Sequence, residues 1–246
     1  LNTAGRGAPL RSFGRKQGHR LSGPRLELLE TVLPGLAVRL PAGEPAGALD
    51  PKALFDVRVA DVWLEIGFGA GHHLADQAQR HPAIGFIGAE PFVNGVAALV
   101  ARTSQAGLRN VRVFQDDVRP LLAHVAEASL GRVFVLFPDP WPKARHHKRR
   151  LISRDTLDLL ARVMADGAEL RFASDHAEYA GWALARAIAH PAFMWTAERA
   201  SDWRTRPEGS IETRYEAKAR AAGRQPFFFT FRRLARGTER TPAGQN

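Results

Sequence analysis

The sequence predicts an α/β fold: a mostly parallel seven-stranded sheet closed by an antiparallel C-terminal edge hairpin. Three observations carry this expectation. Short apolar runs alternate with longer amphipathic stretches from residue 62 to residue 189, the pattern of successive βαβ units. The first run ends in a glycine-rich turn, LEIGFGAG at 64–71, that opens a helical pattern. The last two apolar runs follow one another without a crossover helix, which favours antiparallel pairing.

Strands are expected at VWLEIG (62–67), IGFIGAE (84–90), VRVFQ (111–115), RVFVLF (132–137) and ELRFAS (169–174). Helices fill the gaps near 72–80, 93–106, 118–127, 153–165 and 176–189. The closing pair is FMWTAE (193–198) and FFFTFRR (227–233), with loop expected between them. Residues 41–51, PAGEPAGALDP, read as a connector. Residues 1–24 carry Arg6, Arg11, Arg15, Lys16, His19 and Arg20 but few large apolar groups, so a flexible basic arm is expected there. Residues 25–246 remain as a single domain.

A chain of 246 residues that is 45% apolar can bury one sizeable core. Its formal charge of +10 at pH 7 points to an anionic partner. The absence of cysteine excludes a disulfide scaffold, thiolate zinc sites and any cysteine nucleophile, including methylation of a pyrimidine carbon through a thiolate adduct. His146 and His147 lack the spacing of a metal site, and no metal is expected. No window approaches the roughly 20 apolar residues of a membrane span, and the first residues contain no signal-peptide core. A cytoplasmic location is expected.

Open parallel sheets bind ligands at the carboxyl ends of their strands, and acids stand at four such ends in succession. Glu65 precedes Gly67, Gly69 and Gly71, glycines that let backbone approach a ligand closely. The third glycine of a dinucleotide fingerprint would fall on His72, so a nicotinamide site loses its motif. Glu65 would repel phosphates and attract a cation. Glu90 can accept both ribose hydroxyls or cap a helix; Asp116 and Asp117 can accept from an adenine amino group or turn the chain. Together with Asp139 they fit a ligand that has adenosine and a positive centre but no phosphate: S-adenosyl-L-methionine.

Residues 137–150, FPDPWPKARHHKRR, narrow the function further. Phe137 and Pro138 close a buried run, which sets Asp139 and Trp141 just beyond a strand end. Lys143, Arg145, His146, His147, Lys148, Arg149 and Arg150 follow, either as a solvated helix start or as a phosphate-binding patch. Trp141 can wall the site or stack on a base. Asp175 can cap the helix that begins in SDHAEY or serve a ligand.

RSFGRKQG (11–18), LEIGFGAG (64–71), FPDPWPKARHHKRR (137–150), ASDHAEYA (173–180) and TRYE (213–216) occur in an order that resembles the bacterial single-chain tRNA (guanine-N7)-methyltransferases, from about Arg11 to Arg232. The resemblance implies a Rossmann-like S-adenosylmethionine-dependent methyltransferase fold and methylation of a guanine in the tRNA variable loop. It implies that Glu65, Glu90 and Asp117, with the glycine turn, hold S-adenosyl-L-methionine, and that Asp139 stands at the reacting centre. It also implies substrate contacts from Lys143, Asp175, Thr213, Arg214, Tyr215 and Glu216, with residues 145–150 along the RNA. The segment GAEPF and Pro142 depart from the family's usual residues, and Pro91 alters the entry to the second helix. tRNA is the implied partner, and no obligatory protein partner is expected.

Three rivals stay open from sequence. An amino-group methyltransferase would carry an acid-proline-aromatic turn here, but its usual pattern has a second proline where this chain has Trp141. An RNA-binding module with a vestigial cofactor pocket would not need four strand-end acids. A nicotinamide oxidoreductase lacks its glycine.

Overall fold

The computed structural model describes residues 16–40, 48–238 and 240. The basic arm up to Arg15 and most of the connector, residues 41–47, lie outside the described residues. From Lys16 onward the chain is hydrogen-bonded to the rim of the sheet. The Lys16 carbonyl accepts from Val93 N, Gly18 N donates to Asn94 Oδ1, and Asn94 Nδ2 donates to the His19 carbonyl. Two helices follow, α1 (Gly23–Thr31) and α2 (Leu33–Leu36).

Period-two alternation in β1 (Asp61–Ile66) sets the architecture. Val62, Leu64 and Ile66 join the apolar layer on one face and Trp63 joins the layer on the other, so both faces need cover. The chain continues as α3 (His72–Arg80), β2 (Ile84–Ala89), α4 (Val93–Gln105), β3 (Val111–Phe114), α5 (Val118–His124), β4 (Leu130–Leu136), α6 (Arg154–Val163), β5 (Met164–Ser174) and α7 (Ala177–Ala189); the strands extend the sheet and the helices supply the cover. β6 (Phe193–Trp195), α8 (Ser201–Arg204), α9 (Arg214–Ala221) and β7 (Phe227–Arg233) complete the chain. The sheet order is β3-β2-β1-β4-β5-β7-β6, parallel from β3 to β5 and antiparallel at β5–β7 and β7–β6.

The expected hairpin therefore forms, with β7 inserted between β5 and the short edge strand β6. The loop expected between them does not. α8 and α9 occupy it, and α9 starts where Thr213 caps the helix by accepting a hydrogen bond from Glu216 N at 3.1 Å. T-x-x-E is a helix-start signature, so TRYE has a structural cause that the sequence reading passed over.

Strand order reverses between β1 and β4, and the glycine turn after β1 faces the FPDPW turn after β4 across that switch point. α4 closes on the glycine turn without clearance: a Cβ added at Gly95 would lie 2.3 Å from the Gly69 carbonyl oxygen. Gly95→Ala must push helix from turn, at about 1–3 kcal/mol. Denaturant unfolding should show that loss; an unchanged midpoint would disprove the tight approach.

Candidate active site

Gly67, Gly69 and Gly71 all take positive φ, of 72°, 55° and 71°, a region that costs other residues steric energy. The turn they form folds back so that Gly69 N donates to Glu90 Oε2 at 2.8 Å, while Phe92 N donates to Oε1 at 3.0 Å. Glu90, at the end of β2, is thus fixed by two backbone donors. Burial raises its carboxyl above the ordinary value; the two donors oppose that shift, and the charges of Asp139 and Glu65 add to it.

Across the switch point, Phe137 and Trp141 bracket Pro138-Asp139-Pro140 with positive φ of 53° and 43°. Neither is glycine, and such conformations cost about 1–3 kcal/mol each. Asp139 is open to solvent on the cleft side, yet the crowding around it displaces enough water to raise its carboxyl. Gly67, Gly69, Glu90, Phe92, Asp117, Arg119, Asp139, Trp141, Arg149 and Tyr215 line one cleft of about 350 Å³. That lies in the range of small-molecule sites, roughly 300–1,000 Å³.

Asp117 reaches this cleft from the N-cap of α5. Burial raises its carboxyl, but hydrogen bonds and charge from Arg119, at 2.7 and 2.6 Å, outweigh burial and hold it below the usual value. Asp116 stays at the surface and caps the Asp117 amide. Arg119 had no sequence signal beyond its place two residues after an acid. Tyr215, on α9, extends over the glycine turn: a methyl group added at Gly69 would sit 3.6 Å from its ring. Its ring stacks with Phe137 at 6.4 Å, and burial followed by the charges of Glu90 and Asp139 raises its hydroxyl.

Several expected site residues are turned elsewhere. Glu65 shares the Trp63 face, is 4% exposed, and its Oε2 meets His73 Nδ1 at 2.8 Å, so it does not line the cleft. Gly71 caps α3 and packs on Leu99. Asp175 pairs with Arg224 at 2.9 Å, and the cap of α7 comes from His176 instead. Thr213 caps α9, Arg214 is exposed, and Glu216 is fully buried, accepting from Arg206 at 3.2 Å and Arg220 at 3.0 Å.

The basic run divides in the same way. It forms a 3-10 segment, Ala144–Arg149, preceded by Lys143; Lys143, Arg145 and Lys148 are exposed. His146 meets the edge of Trp141, His147 that of Trp182, and Arg149 lies over Trp141 at 5.0 Å. Arg150 departs from the expectation that it lies along RNA. Its side chain is fully buried, paired with Glu178 at 2.9 and 2.5 Å and set over the rings of Tyr179 and Trp182. Its remaining donors hold the Pro140 and Trp141 carbonyls at 2.8 and 3.4 Å. Arg150 braces the Asp139 turn from behind.

Arg150→Met keeps the stem and removes these charged hydrogen bonds, so it should lower stability by about 1.5–3 kcal/mol. Lys148→Met, at the surface, should stay within about 0.5 kcal/mol. Urea unfolding of both variants tests the division, and equal effects would return Arg150 to the surface patch.

With this geometry in place, comparisons with known proteins converge. A family model described as putative methyltransferase matches residues 60–229. A tRNA (guanine-N(7)-)-methyltransferase of Rhodospirillum rubrum is 47% identical over 96% of this chain and 94% of its own. One from Paramagnetospirillum magneticum is 50% identical over 92% and 94%. Among solved structures, 16S rRNA methyltransferase KamB aligns with a TM-score of 0.51 at 15% identity over 72% of this chain and 89% of its own. TrmN from Thermus thermophilus aligns with a TM-score of 0.51 at 16% identity over 74% and 46%. At those identities the structures bear on the fold alone, and they match the sheet described above. The sequence relatives reach further: this chain belongs to the tRNA (guanine-N(7)-)-methyltransferase family.

Proposed function

We propose that this chain transfers the methyl group of S-adenosylmethionine to N7 of a guanine in the variable loop of tRNA, giving 7-methylguanosine. The carrying observation is one cleft holding the fixed Glu90 carboxylate, the glycine turn and Asp139, followed in the chain by exposed Lys143, Arg145 and Lys148. The names of the curated relatives supply the substrate class and the acceptor atom.

The donor set of the cleft fits the cofactor. Glu90 offers carboxylate oxygens for ribose hydroxyls, Asp117 an acceptor for an adenine amino group, and Gly67 and Gly69 a backbone surface without side chains. Carboxyls whose ionisation burial disfavours gain most from a cation nearby. Bound there, S-adenosylmethionine supplies a methyl carbon on a positively charged sulfur.

Guanine N7 carries a free lone pair, so the protein need not remove a proton to make it nucleophilic. The residues have two tasks, alignment and charge. Asp139 accepts hydrogen bonds from the guanine N1 and exocyclic amino groups, which aims N7 into the cleft and stabilises positive charge as it develops on the purine. Trp141 and Tyr215 bound the base, and Lys143, Arg145 and Lys148 take phosphates of the surrounding RNA. The cytoplasm is the proposed location; among the described residues no helix is long and apolar enough to cross a membrane.

Incubation with methyl-labelled S-adenosylmethionine and unmodified tRNA, followed by nucleoside analysis, should place the label in 7-methylguanosine. Label in another nucleoside overturns the reading. Asp139→Asn should still bind cofactor, though less tightly at neutral pH, and lose about 10²–10³-fold in turnover. Because the Asp139 and Glu90 carboxyls are raised, the folded state binds their protons more tightly than the unfolded state, and stability falls as pH rises from the unfolded to the folded pKa of each. A cationic ligand offsets that loss, so cofactor affinity should climb over the same window, above the ordinary carboxyl values near 4. Titration calorimetry across pH tests this, and an affinity that stays flat over that window would show that the carboxyls do not face the ligand.

Arg145→Met and Lys148→Met should each weaken tRNA binding and reduce the slope of log affinity against log salt by about one. Filter binding at several salt concentrations measures this; an unchanged slope removes those residues from the RNA path.

A further inference from the structure

Behind the cleft, two buried polar atoms from distant parts of the chain find no hydrogen-bond partner among the described residues. These are His73 Nε2, on α3, and Glu216 Oε2, on α9. His73 is 4% exposed and Glu216 0%. Both residues line one small cavity of about 20 Å³, whose wall also includes Phe134, Arg171, Phe172 and Arg206. A void needs about 10–15 Å³ of this measure to hold one water, and that water needs 2–4 polar partners. The cavity meets both conditions for a single molecule, while leaving either atom unsatisfied would cost about 1–3 kcal/mol.

We propose that the cavity is a specific site for one structural water that joins His73 to Glu216, and that His73 thereby positions α9 and its Tyr215 over the glycine turn. The chemistry matches end to end. His73 Nδ1 meets Glu65 Oε2 at 2.8 Å, which leaves Nε2 as the ring atom facing the cavity. A water can accept from or donate to a ring nitrogen, and it keeps a proton to donate to Glu216 Oε2 in either case. The other oxygen of Glu216 accepts from Arg206 and Arg220. A continuous polar connection then runs from β1, through Glu65, His73 and the water, to the first turn of α9.

That connection has a consequence for the cleft. Tyr215 precedes Glu216 and is the α9 side chain that reaches the Gly69 turn. α9 is a short helix with few buried residues, Glu216 and Ala219, so a tether at Glu216 decides where Tyr215 stands. His73 touches no part of the cleft and is a positioning residue, not a catalytic one.

Two measurements decide the proposal. A crystal structure of the full chain at a resolution that defines waters should show one water within about 3.2 Å of both atoms; a dry cavity, or direct contact between His73 and Glu216, overturns it. Hydrogen exchange of His73→Phe, which keeps a ring but no polar atoms, should be at least tenfold faster at the amides of residues 214–221 with β1 unchanged, and His73→Gln should recover much of the protection. Unchanged exchange in α9, or faster exchange throughout β1 and α3, overturns the positioning role. Neither result depends on methyl transfer, so a failed methylation assay leaves the proposal testable in full.

Discussion

The buried guanidinium of Arg150 is the constraint on which the site rests. A turn with non-glycine residues in the left-handed region at both ends does not hold its shape unaided. Arg150 supplies the missing restraint by binding the carbonyls of Pro140 and Trp141, one turn wall behind Asp139. The cation can stay buried because Glu178 meets it on two nitrogens and two aromatic rings from α7 face it. β4, the turn and α7 are therefore fixed to one another through a single side chain. A lysine could not reproduce this, since it lacks the planar fork that serves a carboxylate and two carbonyls at once.

Charge is sorted around that turn by depth. Inside the cleft stand carboxylates, two of them with raised pKa values that mark them as short of cationic partners. Lys143, Arg145 and Lys148 are exposed to solvent, while Arg119 and Arg149 line the cleft beside the acids. A net charge of +10 spread evenly would neutralise the cleft; instead Arg119 pairs with Asp117, and Arg150 is turned inward to Glu178. What remains is a set of acids from three strand ends that attracts a sulfonium, and exposed cations shortly after Asp139 that attract phosphates. The two fields do not cancel because the cleft is screened by solvent ions less than the exposed cations are.

The sheet was legible because its rules are local: apolar runs, glycine breaks and caps each announce themselves within a few residues. The helices at 72–80, 93–105 and 177–189 lie where the periodicity put them to within a residue or two. Side-chain direction was less legible. Glu65 stands beside the glycines in sequence, but the two-residue period of β1 turns it to the Trp63 face, under α3, where His73 receives it. That alternation was present in the sequence and was outweighed by proximity to the motif. Arg150 was grouped with its cationic neighbours, although no local pattern distinguishes the one arginine whose partner, Glu178, lies 28 residues away. TRYE carried a helix-start signature that a loop assignment concealed, and Arg206, which clamps Glu216, gave no signal at all.

The differences concern side chains whose partners lie far along the chain, which no local pattern announces. The fold itself is matched by solved structures at 15–16% identity. Two of these long-range contacts tie elements together: Arg150 links α7 to the turn after β4, and Glu65 meets His73 on α3. α9 occupies the segment between β6 and β7, where the antiparallel pairing would need only a short loop. Its buried acid, two arginine clamps and outward-facing Tyr215 exceed what such a connection requires. What is fastened to the sheet, together with the strand ends, completes the cleft. Buried charged groups are the fasteners because their geometry tolerates few alternatives.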